Sequence, residues 1–257
     1  MNDINDKINN IKSKIKDNPL NIDFRFELLQ YECLKGLWES ALKNIDACLK
    51  ISGNNNQYNK LFRNNILCEM QRKACFNHEL DAYFVDNDID HYSKLQYEIF
   101  HDYLHSRESK GTEQLEHLND IVAHEFNVTL NSGEVLVGTF RDTDDRTQSI
   151  LEIFLDDKYA WVSIHNIKTI EFYENLFLVD LIWRRAVITM QNGKQLACFI
   201  PVRYFSNTLN TDDEDFVLAK KTRWTSDLHH LCCGVGQKTF ELSDGTDFGI
   251  LDIKKID

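Results

Sequence analysis

The stretch Arg185-Ala186-Val187-Ile188-Thr189-Met190-Gln191-Asn192-Gly193-Lys194-Gln195-Leu196-Ala197-Cys198-Phe199-Ile200 decides how the second half of this chain reads. Two apolar runs flank Asn192-Gly193, and Asn-Gly tolerates the positive φ that a two-residue hairpin turn demands. The same pattern recurs outward on both sides. Residues 128–130 and 134–140 flank Asn131-Ser132-Gly133. Residues 149–156 and 158–163 meet at Asp156-Asp157, and residues 238–242 and 248–256 flank Asp244-Gly245. Residues 168–173 read as a further strand and residues 141–148 as a charged loop. Gly234-Val235-Gly236 reads as a turn entering the last hairpin, and residues 216–224 fit a strand or a helix. Hairpin upon hairpin predicts a mostly antiparallel sheet or a small barrel.

Upstream of about residue 127 the period changes, and apolar residues recur at three and four. Phe24, Leu28, Tyr31 and Leu34 share one face of a predicted helix over 23–35, with Asp23 as its N-cap and Gly36 as its end. A second helix over 38–51 carries Leu42, Ile45 and Leu49 on one stripe. Gly36, Trp38 and Ala41 sit at offsets resembling the second half of a TPR unit, in which a small residue lets two helices approach. Gly53 and Leu29 depart from that pattern, so the unit is degenerate. A third helix covers 56–76. Residues 81–90, with Asp81, Asp86, Asp88 and Asp90, read as a solvated connection. Helices over 92–105 and 112–126 then pair around Lys110-Gly111. The expected fold class is α+β: a TPR-like helical domain over 1–127 and a β-rich domain over 128–257.

The chain has 257 residues, of which 42% are hydrophobic, enough for a sizeable core. Formal net charge is -12, and it is spread evenly: residues 1–127 hold 15 Lys/Arg against 21 Asp/Glu, residues 128–257 hold 14 against 20. Such a surface repels nucleic-acid phosphates and anionic membranes. Seven cysteines (Cys33, Cys48, Cys68, Cys75, Cys198, Cys232 and Cys233) at irregular spacing describe no disulfide framework. They read as buried apolar residues in a reducing cytoplasm. The first sixteen residues lack the apolar region of a signal peptide. The most apolar stretch, 176–183, is broken by Asp180 and too short to span a bilayer.

Candidate chemistry is sparse. His229, His230, Cys232 and Cys233 form a dense set of metal-type ligands, but adjacent strand residues point apart and no second pair is evident. His101 and His105 have helical spacing, yet Asp102 stands where a metalloprotease carries Glu. Asp212, Asp213, Glu214 and Asp215 lack the alternation and Gly of a calcium loop, and read as a solvated acidic loop. No residues assemble a nucleophile, a base and an oxyanion hole. The expectation is a non-enzyme with no metal and no cofactor.

A longer string carries a resemblance. It runs Leu151-Glu152-Ile153-Phe154, Lys158-Tyr159-Ala160-Trp161-Val162-Ser163, Ile167-Lys168-Thr169-Ile170, Asp180-Leu181-Ile182-Trp183-Arg184-Arg185-Ala186, Ile200-Pro201-Val202-Arg203-Tyr204, Leu218-Ala219-Lys220-Lys221-Thr222-Arg223-Trp224, Gly234-Val235-Gly236-Gln237 and Leu251-Asp252-Ile253. Upstream stand Phe24-Arg25-Phe26-Glu27-Leu28-Leu29 and Gly36, Trp38, Glu39, Ala41, Leu42. This order resembles the ImpE/TagJ (SciE-type) family. The resemblance implies a cytoplasmic accessory protein of the type VI secretion system. It would bind the N-terminal helix of the small sheath subunit (TssB/VipA) and be linked to the ClpV ATPase that disassembles the sheath.

A short helical stack presents grooves that take an amphipathic helix, with aromatics as anchors. Phe24, Tyr31, Tyr92 and Tyr97 are candidate anchors, or else core residues between helices. Arg203, Tyr204, Arg223 and Trp224 match the family string; Trp183 and Trp224 are expected in the core. Arg184, Arg185 and Arg203 pair internally with Asp180 or Asp252, or else meet an acidic partner. Two other readings stand beside the adaptor: a metal-dependent enzyme using His229/His230 with Cys232/Cys233, and a TPR scaffold unrelated to secretion.

Overall fold

A computed structural model describes residues 4–53, 56–85, 90–104, 118, 124–206, 213–226 and 231–257. Its helices are α1 (Ile4–Asp17), α2 (Ile22–Leu34), α3 (Trp38–Ile51), α4 (Gln57–Phe76) and, after strand β1 (Tyr83–Phe84), α5 (His91–Leu104). Strands then dominate: β2 (Phe126–Leu130), β3 (Val135–Gly138), β4 (Phe140–Asp142), β5 (Ile150–Leu155), β6 (Lys158–Ser163), β7 (Ile167–Phe172), β8 (Trp183–Met190) and β9 (Gln195–Pro201). A single-turn helix, Glu214–Val217, precedes β10 (Thr222–Ser226), β11 (Cys232–Gly236), β12 (Thr239–Leu242), β13 (Asp247–Gly249) and β14 (Ile253–Ile256). The fold is α+β.

Among the described residues, nine strands form one sheet in the order β1-β6-β5-β9-β8-β7-β14-β2-β3. Its pairings are antiparallel except β1 with β6. The Asn192-Gly193 hairpin is β8–β9, with Gly193 at φ +84. Strands β5 and β6, and the second half of β9, bury both faces. Phe154, Tyr159, Trp161 and Phe199 face the helices, while Leu151, Ile153, Ala160, Val162 and Ile200 face a second core under the β4-β12-β13 sheet. Burial on two sides is why these strands read as unbroken apolar runs.

Gly36, at φ +69, turns α2 into α3, and fully buried Ala41 sits in the helical core. Trp38 stacks on Trp183 of β8 with ring centroids 5.9 Å apart. The helical layer and the sheet therefore share one core.

Several expectations are corrected. The N-cap of α2 is Asn21, whose Oδ1 accepts from Phe24 N at 3.0 Å; Asp23 lies inside the first turn. Helix α1 escaped the sequence reading, yet Ile4, Ile8 and Ile11 are buried at helical spacing. The connection over 81–90 contributes β1, because Tyr83 and Phe84 pair with Ala160 and Trp161. Phe126 begins a strand rather than ending a helix; most of 112–126, and Lys110-Gly111, lie outside the described residues. Residues 216–224 split between the single-turn helix and β10. Gly234-Val235-Gly236 is strand, paired to β10. The final hairpin is shorter than expected: β14 leaves β12–β13 and inserts between β7 and β2. Trp224 is 40% exposed, while Trp183 is buried.

Candidate functional site

The largest departure from the sequence reading lies in residues 141–148. Asp142, Asp144, Arg146, Thr147 and Gln148 are buried, and with them Arg72, Glu69, Glu152 and Lys238. These groups link α4 to the sheet. Arg72 on α4 donates Nε and Nη2 to the two carboxylate oxygens of Glu152 on β5, at 2.7 and 2.8 Å. Lys238 Nζ lies 2.9 Å from Glu152 Oε2 and 2.8 Å from Asp142 Oδ2. Tyr204 Oη donates to Asp142 Oδ1 at 2.8 Å. Tyr159 Oη donates to Glu152 and accepts from Trp161 Nε1, both at 2.7 Å. Trp183 Nε1 donates to Glu69 at 2.9 Å.

Burial alone would raise the Glu152 carboxyl, but Arg72 and then Lys238 outweigh it and hold the group well below the usual range. Burial raises Asp142, with Lys238 opposing. Asp144 is wrapped by its own loop: Arg146 donates Nε at 2.8 Å, and Gly234 N donates at 2.8 Å from β11. Such a bonded network holds two layers in register; its carboxylates are committed to fixed partners.

The structure separates the candidate residues. Arg203 is buried, with Nη1 donating to Leu34 O at 2.8 Å and Val217 O at 3.0 Å. It thus caps the last carbonyl of α2. Tyr204 is buried against Asp142, so neither residue is presented on the surface. Arg184 bonds the carbonyls of Ile250 and Ile253, and Arg185 reaches Glu174 O and Asp180. Phe24 and Tyr31 are half-buried beside α1, whose Lys14 and Lys7 each stand 5.6 Å from their rings. Tyr92 stacks on His165 at 3.8 Å. Tyr97 donates to Asp81 at 2.9 Å; burial and then that bond push its hydroxyl up to about 12. Arg223 is exposed on β10, 5.3 Å over Phe216.

His229 and His230 lie outside the described residues, as do His105 and Asp212. Asp213 caps the single-turn helix and bonds Lys221 at 2.9 Å. Among the described residues no group of three or more His, Cys, Asp or Glu is placed to hold a metal ion. The described cysteines are free thiols, and burial raises Cys33, Cys68 and Cys198 away from the reactive thiolate.

Sequence reasoning missed two features. One is the ionic junction, whose signal was Glu152 inside an apolar strand. The other is an aromatic face in which Tyr58, Phe62 and Phe26 surround Phe177 at 5.5–5.9 Å. Tyr58 is 52% exposed, Leu61, three residues further along α4, 42%, and Leu176, next to Phe177 in the chain, 63%.

The family model described as ImpE protein matches residues 134–257. The type VI secretion system accessory component TagJ of Pseudomonas aeruginosa is 22% identical over 254 residues, 99% of this chain and 87% of that protein. A crystal structure of protein VPA1032 from Vibrio parahaemolyticus superposes with a TM-score of 0.82 at 18% identity, over 98% of this chain and 92% of that one. The β-rich half of this chain thus matches the ImpE family model, and nearly its whole length aligns with TagJ.

Proposed function

We propose that this chain is a non-enzymatic, cytoplasmic accessory component of a type VI secretion system that works by docking against other proteins. The alignment with TagJ along almost the entire chain carries this reading. The commitment of the interior charges to one another supports it, since a catalytic group must be free to exchange protons or ligands. The partner is the N-terminal helix of the small sheath subunit (TssB/VipA), with a link to the ClpV ATPase. The TPR-like helical part, residues 1–127, supplies the docking groove, and residues 128–257 brace it.

The exposed aromatic face fits the apolar side of an amphipathic helix, with Tyr58 and Leu61 on α4 beside Leu176 and Phe177. Phe24, Tyr31, Tyr92, Tyr97 and Arg223 are secondary anchors. A pull-down with the purified small sheath subunit tests the proposal. Capture should be lost when that subunit's N-terminal helix is deleted, and weakened at least tenfold by Tyr58→Asp with thermal stability unchanged. Equal capture of the helix-less subunit sinks the helix-docking reading.

A further inference from the structure

The two edges of the nine-stranded sheet are treated differently. One edge ends in the two-residue β1, which covers β6 by pairing with Ala160 and Trp161; beside it Val85 N donates to Trp161 O, and Gln71 Oε1 accepts from Tyr159 N. At the other edge lies β3, whose one strand partner among the described residues is β2. Leu130 N donates to Glu134 O, and the antiparallel register sets Val128 opposite Leu136. Bonded and non-bonded pairs alternate in such a ladder. The backbone groups of Val135 and Val137 therefore point away from β2, into the open edge. Thr139 has the same outward parity, and its carbonyl is already taken by Ser243 N at 2.9 Å.

Open edges are ordinarily guarded by Lys, Pro or a bulge. Here β3 reads Val-Leu-Val-Gly, and Val135 and Val137 are 54% and 56% exposed. The charge around this edge is acidic at both ends. Exposed Glu134 precedes the strand, and exposed Asp244 follows Ser243 at the other end. Of the cations on adjoining strands, Arg141 pairs with Glu241 and Lys255 with Asp257. Lys254 lies on β14, two strands inward, roughly 10 Å from the edge.

This charge pattern selects the occupant. A second copy pairing antiparallel through Leu136 would bring Glu134 of each copy to the Gly138–Asp244 end of the other, acid against acid. An extended segment with a basic residue at each end meets both carboxylates favourably. We propose that β3 is a strand-addition site. Its occupant is an extended stretch of a partner polypeptide, alternating in β-branched residues and basic at both ends, bonded to the backbone of Val135 and Val137. This surface is independent of the helix-docking face.

The test uses the full chain and a blocked heptapeptide of alternating valine and threonine with lysine at each end, beside the same peptide with glutamate ends. The expected result is saturable binding of the lysine peptide, slowed amide exchange at Val135 and Val137, and binding of the glutamate peptide at least tenfold weaker at low salt. Val137→Pro removes one outward N–H that the sheet does not use, and should weaken binding about five- to tenfold with the melting temperature retained. If that variant does not fold, Glu134→Lys, a surface change, carries the test through selective loss of lysine-peptide affinity. The proposal is overturned by equal binding of the two peptides, or by no saturable binding of either. It is also overturned by edge protection that grows with protein concentration alone, the signature of a second copy.

Discussion

Replacing Lys238 with methionine should be among the most damaging single changes in this chain. The ammonium is 1% exposed and stands between two buried carboxylates, Asp142 at 2.8 Å and Glu152 at 2.9 Å. Methionine has similar length and no charge, so packing is largely kept. Glu152 retains Arg72, but Asp142 loses its cation and keeps only the hydroxyls of Tyr204 and Thr147 and the Asp144 amide. Removing one partner of a buried ion pair costs about 3–5 kcal/mol. Against a total stability of about 5–15 kcal/mol that is a fifth or more. For a chain of this size it lowers the melting temperature by about 6–20 °C.

The deficit carries a pH signature. Burial already raises Asp142 above its ordinary 3.8, and the variant lacks the ammonium that opposes this rise. A carboxyl whose folded pKa exceeds its unfolded value weakens the fold fully above the folded pKa; the penalty shrinks as pH falls below that value and is gone below the unfolded pKa. The variant's deficit in urea unfolding should therefore be largest at neutral pH and shrink as pH falls toward the ordinary carboxylate value of 3.8. A cost below about 1 kcal/mol, or one flat between these pH values, would refute the assignment of Lys238 as the counter-ion of Asp142.

Other outcomes follow from the same geometry. Tyr159→Phe strips a hydroxyl that serves both Glu152 and Trp161, and should cost about 1–3 kcal/mol in urea unfolding. In the intact protein Glu152, held below its ordinary 4.5, contributes stability that is present above that value and fades as pH falls below it, which an acid titration of unfolding checks. Gly234→Ala would put a methyl 2.2 Å from the Tyr204 ring, and should lower the melting temperature by several degrees through overpacking. Ile8→Ala removes the middle of α1's buried stripe; it should cost about 2–5 kcal/mol and speed amide exchange in α1 before the rest of the chain.

The ionic junction also accounts for how helices and sheet act as one body. Arg72 reaches from α4 to Glu152 on β5, and its Nη2 also donates to Arg203 O at 3.0 Å. Arg203 in turn holds the end of α2. A load on the helical face is thus passed to the sheet through short, charge-assisted bonds rather than through apolar packing alone.

The amino-acid order by itself determined the elements whose causes are local. The Asn192-Gly193 hairpin, the α2–α3 pair around Gly36 and the strands β5 to β9 follow from turn residues and apolar period, and these act over a few residues. The likeness to the ImpE family model over residues 134–257, too, was legible in the order of short words there. Tertiary structure alone decided which charges lie inside. Arg72 and Glu152 are 80 positions apart, and Lys238 and Asp142 are 96 apart. Nothing near residues 141–148 marks them as buried, because a charged loop looks the same from its own sequence whether water or a distant counter-ion solvates it. Helix α1 was lost for a related reason: three isoleucines among Asn, Asp and Lys make a marginal helix alone, and the surface of α2 that completes it belongs to another part of the fold.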